Sequence, residues 1–176
     1  MKRMFVVAAA CTLLAGPAAA ETVGEKTGIN STLGIAPTTN DFVQEAAISD
    51  MFEIQSSKLA DAKLSGAEKE FADHMIMDHT KTTAELTDLA KNDNIPLPFA
   101  MDSSHQKMFD KLNSLNGDDF RKQYFGDQLS AHKDAVSLFE RYGKGGEDAN
   151  LKDWASTTLP TLQHHLDMAK DLDKST

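Results

Sequence analysis

Apolar residues recur at steps of three and four along four separate stretches of the chain, a spacing typical of helices that bury one face. In the last stretch, from Ala149 to Leu172, this seam passes through Leu151, Ala155, Thr158, Leu162, His165, Ala169 and Leu172. A histidine therefore occupies a position where a core residue is expected. Because an imidazole is costly to bury without partners for both ring nitrogens, we expect hydrogen bonds, a carboxylate or a metal ion opposite it.

The other three stretches also predict long helices, and each has a polar residue in its apolar seam. The first seam carries Glu53, the second carries His79 and the third carries His132. Counted from the helix starts, these three residues lie near mid-height, and His165 lies roughly 6 Å from the midplane at about 1.5 Å per residue. Polar residues that several helices direct into one interior are the arrangement that builds metal sites in helical bundles.

Capping patterns and helix breakers set the predicted boundaries. The first helix begins at a capping box that opens with Asp41, and a second box, 65–68, leaves almost no loop before the second helix. A short helix begins at Ser103, and the third long helix begins after Gly117. About 25 residues join the second and third long helices, too many for a hairpin turn. We therefore predict an all-α fold for residues 41–173, a ferritin-like four-helix bundle with a long crossover that contains a short helix.

The N-terminal segment has the three parts of a secretory signal. Lys2 and Arg3 precede an apolar run that ends in small residues up to Ala20. We predict that residues 1–20 are a signal peptide that is removed, and that the protein is exported to the bacterial periplasm, in solution or at the outer membrane. Residues 21–40 are rich in Gly, Ser, Thr and Asn without an apolar period, which predicts a flexible arm.

Charge and cysteine content narrow the classes of partner. The chain has 18 basic and 27 acidic side chains, and removal of residues 1–20 takes away two of the basic ones and the only cysteine. The remaining net charge of −11, which is 16 basic against 27 acidic side chains, argues against nucleic acids and anionic membranes as partners. It is compatible with cations. No disulfide can form, so a packed core must supply the stability.

Three neutral imidazoles and one carboxylate form a ligand set that suits Zn²⁺, Cu²⁺, Ni²⁺ or Fe²⁺. We therefore expect one transition-metal ion held by His79, His132 and His165, with Glu53 as a fourth ligand or as a partner that orients a ring. The alternative is a hydrogen-bond network of the same residues without a metal ion. The protein would then be a structural or interaction module that docks an unknown partner in the cell envelope.

The remaining histidines, His74, His105 and His164, are assigned to the surface. Asp78 is assigned to solvent, because it is rotated by about 100° from its neighbour in the seam. We expect a binding protein rather than an enzyme, since no cysteine remains after signal removal and no serine lies in a nucleophile turn. Oxidoreductase chemistry at a single metal ion is a third hypothesis, which needs an open coordination position.

Four blocks of the sequence resemble a known family. They read DFVQEAAISDMFEIQSSKLA, FADHMIMDHTKT, FRKQYFGDQLSAHKDAVSLFERY and LKDWASTTLPTLQHHLDMAK. They look like a bacterial family of exported proteins, a domain of unknown function that is grouped with ferritin-like folds and often labelled an outer-membrane protein. The resemblance spans Thr38–Leu172 and implies a ferritin-like bundle and export, but no established reaction. Di-iron relatives carry Glu-x-x-His, whereas Ile76 and Leu162 stand three residues before His79 and His165, so iron storage is not expected.

Overall fold

The structure is a computed structural model that describes residues 22–26 and 28–174. Within these ranges the chain forms seven α-helices and no strand, which confirms the prediction of an all-α fold. The predicted signal peptide, residues 1–20, lies outside the described residues. None of the described helices combines the length and the apolar character that a membrane crossing requires.

Four of the helices are long, and three are short. Their bounds are α1 Val23–Lys26, α2 Ile29–Leu33, α3 Thr39–Lys63, α4 Ala67–Asn92, α5 Ser103–Ser114, α6 Gly117–Gly145 and α7 Ala149–Asp173. The four long helices coincide with the four stretches of apolar spacing. The short helix α5 lies within the connection between α4 and α6.

Three helices are capped by residues other than those predicted. α3 begins earlier, because the side chain of Thr38 accepts a hydrogen bond from the amide of Asp41 at 3.2 Å, and Asp41 lies in the first turn. α4 is capped by Gly66 at a φ of 60°, without a side-chain hydrogen bond. Asp102 rather than Ser103 caps α5. The sequence pattern was wrong by one to three residues at these ends because several nearby polar residues could supply the cap.

Hydrogen bonds between helices establish their relative directions. Thr39 is bonded to Tyr142 and Ser57 to Tyr124, so α3 and α6 run antiparallel. The side-chain hydrogen bonds between α4 and α7 are also arranged in antiparallel order. The short turn between α3 and α4 makes a further antiparallel pair, so α4 and α6 are parallel. The chain between them, 93–116, therefore runs back along the bundle, with α5 packed on α3 and α6.

Two apolar clusters fill the interior of the helical bundle. The cluster near the starts of α3 and α7 includes Phe42, whose ring stacks on Tyr142 with 3.9 Å between centroids. The cluster near the ends of α3 and α7 includes Phe120 and Tyr124. A layer of buried polar residues lies between the two clusters, namely Asp50, Glu53, Ser56, His79, Gln128, His132 and His165. The apolar clusters thus separate this layer from both ends of the bundle.

The described part of the N-terminal arm packs on α6 through polar contacts. The buried Arg141 donates hydrogen bonds to both carboxylate oxygens of Glu25 and, at 2.8 Å, to the carbonyl oxygen of Ile35. Thr22 donates its amide and its hydroxyl to Asp41. The sequence pattern predicted a flexible arm because it has no apolar period. Contacts to a residue more than 100 positions away, made by charged and backbone groups, leave no such period in the sequence.

Candidate metal centre

Three buried histidines from three helices converge in the polar layer. His79 of α4 is 2% exposed, and His132 of α6 and His165 of α7 are 1% exposed. Their ring centroids lie 5.5 to 5.6 Å apart, and one nitrogen of each ring lies within 4.8 Å of the other two. The structure therefore brings together the three histidines singled out from the sequence, and we refer to them as the histidine triad.

The ring of His79 is held by a carboxylate on the neighbouring helix. Its Nδ1 lies 2.7 Å from Oδ1 of Asp50, and Thr82 and Thr83 donate to the other carboxylate oxygen at 2.8 and 3.0 Å. Because a carboxylate only accepts hydrogen bonds, Nδ1 carries a proton, and in the neutral ring Nε2 keeps its lone pair. Asp50 thus selects the tautomer of His79 and makes Nε2 a stronger metal ligand.

The other two rings are oriented in the same way. Nδ1 of His132 donates to the carbonyl oxygen of Gln128 at 2.9 Å, and Nε2 of His165 donates to Oδ2 of Asp78 at 2.9 Å. In each case the remaining nitrogen is left with a lone pair. Metal-binding histidines nearly always donate their second nitrogen to a carboxylate or a carbonyl in this manner.

The environment keeps two of the three rings neutral. Burial, together with the neighbouring His79, lowers the pKa of His132 to about 3 and that of His165 to about 4. Burial also lowers the pKa of His79, but the hydrogen bond and charge of Asp50 and the charges of Glu53 and Asp78 together outweigh it, and the net direction is upward. At neutral pH, His132 and His165 are therefore available as neutral nitrogen ligands.

The three nitrogens left over by these hydrogen bonds have no partner among the described residues. They are Nε2 of His79, Nε2 of His132 and Nδ1 of His165. A common ion with nitrogen bonds of about 2.0 to 2.1 Å needs nitrogens about 3.5 Å apart. One nitrogen of each ring lies within 4.8 Å of the other two, so bringing those three nitrogens to that spacing requires each ring to move inward by less than about 1 Å. Three buried lone pairs that face one another are unfavourable alone and are stabilised by a cation.

Glu53 lies beside the histidine triad and is not part of its three-nitrogen group. Its Oε1 is 3.8 Å from Nδ1 of His132, the nitrogen that donates to the carbonyl oxygen of Gln128. Both oxygens of Glu53 are buried without a hydrogen-bond partner among the described residues, and so is Oε1 of Gln128. Burial raises the pKa of Glu53 to about 7 against the opposing influence of His79. Glu53 thus faces the back of a ring, where it adds negative charge near the site.

Sequence reasoning missed two of the carboxylates that hold the rings. Asp78 was assigned to solvent, but it is only 29% exposed at its side chain and reaches across to α7. Asp50 was not singled out, although Ala46, Asp50 and Glu53 continue the seam of α3 at steps of four and three. That spacing could have identified Asp50 from the sequence. The contact of Asp78 with His165 depends on the position of α7, which the sequence of α4 does not show.

The remaining histidines lie outside the polar layer. His74 and His164 are exposed, as predicted from the sequence. His105 is partly buried instead, with its ring edge-on to Phe52 at 5.7 Å and its Nδ1 bonded to Asp102. α5 brings His105 against the bundle, which the pattern of that short helix alone did not indicate.

Acid should destabilise the metal-free protein through His132. The folded protein holds the pKa of this residue at about 3, below the ordinary 6.5, so the unfolded chain takes up the proton first. This contribution to the free energy of unfolding is complete above pH 6.5 and declines as the pH falls towards 3. At pH 4.5, which is two pH units below 6.5, we expect a loss of about 3 kcal/mol from this residue, at about 1.4 kcal/mol for each pH unit. Denaturant unfolding at pH 7.5 and 4.5 measures it, and equal losses in the wild type and in His132→Gln would contradict the assignment.

Comparisons with known proteins identify a family and a structural relative. The family model described as Domain of unknown function (DUF4142) matches residues 24–172. The solved structure "CopM in the Cu(II)-bound form" is similar, with a TM-score of 0.68 and 16% sequence identity, over 80% of this chain and 99% of that chain. At this identity the similarity demonstrates a shared fold. Comparison with curated proteins finds no significant match.

Proposed function

The chain belongs to the DUF4142 family, as its four sequence blocks indicated, and we propose that it binds one divalent transition-metal ion in the core of its helical bundle. One observation carries the proposal. Three buried rings from three helices each bring one nitrogen within 4.8 Å of the other two, and each ring has one buried nitrogen without a hydrogen-bond partner among the described residues. Buried polar atoms in folded proteins are nearly always hydrogen-bonded, so a purely structural network would have given these nitrogens donors.

Copper(II) is the ion that we expect to bind most tightly. Imidazole suits zinc, copper, nickel and iron, and the affinity of a nitrogen site for divalent metals is greatest for copper. The Cu(II)-bound structure of CopM, which shares the fold, supports the same choice. Asp50 and Asp78 accept hydrogen bonds from two of the rings, which raises the basicity of the ligand nitrogens.

The fold and the location of the protein are part of the proposal. The parallel arrangement of α4 and α6, with a connection that runs back along the bundle, supports a ferritin-like four-helix bundle. The sequence pattern of residues 1–20, which predicts a signal peptide, supports export to the periplasm. We assign the protein a role in binding metal in the cell envelope rather than in catalysis, because its ligands and the carboxylate of Glu53 are 1–2% exposed. Such a site excludes substrates larger than an ion.

The metal content of purified protein tests the proposal. Wild-type protein equilibrated with Cu²⁺ and then desalted should retain one ion per chain. A variant with alanine in place of the histidine triad should retain none. The matched control replaces the other three histidines, His74, His105 and His164, and should also retain one ion. Helical circular dichroism checks that each variant is folded.

The outcome separates the histidine triad from adventitious surface binding. If both triple variants retain the same amount of copper, the ion is not held by the triad. If the wild type itself retains none after exposure to copper, zinc and nickel, the histidines are an architectural network, and the protein is the structural module that was the alternative.

A further inference from the structure

An ion must pass between two helices to reach the histidine triad. The three rings are 1–2% exposed, so solvent does not reach them directly. One apolar cluster, with Phe42 and Tyr142 stacked within it, closes the layer on one side along the bundle axis. The second cluster, with Phe71 and Tyr124, closes it on the other. The axial directions are therefore blocked by packed side chains, which leaves the four lateral sides.

The side between α4 and α7 is the least closed of the four. α4 and α7 pack together more sparsely than the other neighbouring pairs of long helices. The side between α3 and α6 is covered by α5, which contacts both helices. The side between α3 and α4 is closed by the buried Asp50, which is bonded to His79, Thr82 and Thr83. α6 and α7, joined by a short turn, form the most closely packed pair.

His165 is the ring that can move with the smallest loss of contacts. His132 is bonded to a carbonyl of its own helix, and His79 to a carboxylate whose side chain is only 9% exposed. Asp78, the partner of His165, is 29% exposed and makes its one hydrogen bond among the described residues to this ring. When that bond breaks, water can solvate the carboxylate of Asp78, whereas a released Asp50 would remain buried.

On the basis of the proposed metal site, we propose that the ion enters and leaves between α4 and α7, and that the hydrogen bond between Asp78 and His165 is the gate. With the bond intact, His165 closes the layer. When the bond breaks, the His165 ring rotates towards solvent, and its unpartnered nitrogen binds the ion there. The carboxylate of Asp78 then lies at the opening, where its negative charge attracts cations. Asp78 is thus a positioning residue that acts through His165.

The surface next to this gate offers further metal ligands. His74 is exposed and lies one turn before Asp78 on the same face of α4. His164 is exposed and directly precedes His165 on α7. Their imidazoles can bind an ion weakly before it passes inward. Each helix of this pair thus carries an exposed imidazole close in sequence to its residue of the gate.

The rate of copper loading tests the gate. Wild-type protein mixed with increasing Cu²⁺ in a stopped-flow instrument should load at a rate that reaches a plateau, because opening becomes rate-limiting. Asp78→Ala should raise this plateau about tenfold and should raise the rate of copper removal by a chelator at least as much. An increase in both directions is the signature of a gate. A residue that only strengthens ligand binding changes the release rate and leaves the loading plateau unchanged.

Two control variants make the test specific. Asp73→Ala removes an equally charged and more exposed carboxylate from the same helix, and it should load and release copper like the wild type. Asp50→Asn should speed release without raising the loading plateau. If Asp78→Ala loads copper at the wild-type plateau rate and still binds one ion, the proposed gate is contradicted, whereas the proposed metal site is not. If the wild type binds no copper at all, both proposals fall.

Discussion

Saturating copper(II) should raise the melting temperature of the wild-type protein by about 10 °C, and a chelator should reverse the change. An ion that binds only the folded state stabilises it by about 4 kcal/mol when its free concentration is about 1,000 times the dissociation constant. For a domain of about 150 residues each kcal/mol raises the melting temperature by about 2 to 4 °C. Thermal unfolding followed by circular dichroism, with buffered Cu²⁺ or with chelator, measures the shift.

The same measurement on His79→Ala is the control. This variant keeps two rings of the triad but loses a nitrogen ligand together with the partner of Asp50, so copper should shift its melting temperature by little. His74→Ala, which removes an exposed histidine of the same helix, should respond like the wild type. A wild-type melting temperature that does not change between copper and chelator would favour the architectural network over the metal site.

Replacing Glu53 by glutamine should stabilise the metal-free protein at alkaline pH. Burial raises the pKa of this carboxyl to about 7 from an ordinary 4.5, so the folded state holds the proton more tightly than the unfolded chain. The stability that this proton confers is complete below pH 4.5 and is lost as the pH rises through 7. At pH 8 the charged side chain therefore costs about 3 kcal/mol. Glutamine avoids that cost because it carries no charge.

Denaturant unfolding of wild type and Glu53→Gln between pH 5 and pH 8 measures this effect. The difference in the free energy of unfolding should grow with pH by about 2 to 3 kcal/mol in favour of the variant. A difference that is constant with pH would mean that Glu53 is not desolvated as described. In the same variant copper should bind about tenfold more weakly, because the negative charge behind His132 is gone. A higher free energy of unfolding combined with a lower affinity for copper in this variant would show that Glu53 serves metal binding at the expense of stability.

The prediction for copper binding and the prediction for Glu53→Gln concern opposite sides of the His132 ring. His132 presents Nε2 to the triad and Nδ1 to Gln128 and Glu53. A cation on the first side lowers the cost of the carboxylate on the second, because the charges are opposite and both are buried. Without an ion, the buried carboxylate in the polar layer therefore lacks a compensating positive charge. This is the physical basis for expecting strong coupling between metal binding and stability.

The arrangement of the histidine triad could be anticipated from local patterns. Apolar spacing at three and four residues is a property of a single helix, and it predicted all four long helices and the seam positions of His79, His132 and His165. Counting residues from each helix start also placed His79 and His132 near mid-height, with His165 roughly 6 Å from the midplane at about 1.5 Å per residue. Neither inference requires knowledge of which helices are neighbours, since each seam must face the interior whatever the packing.

The partners of these rings depend on the tertiary structure. Asp78 lies off the seam of α4 and becomes a partner of His165 only because α7 packs on that side. The docking of the arm through Glu25 and Arg141 joins residues 116 positions apart. The sequence by itself determined the helices and which side chains point inward, because these follow from the periodicity of one helix. The tertiary structure alone decided which nitrogens keep their lone pairs and that Glu53 lies behind a ring, because hydrogen bonds between helices depend on their relative positions.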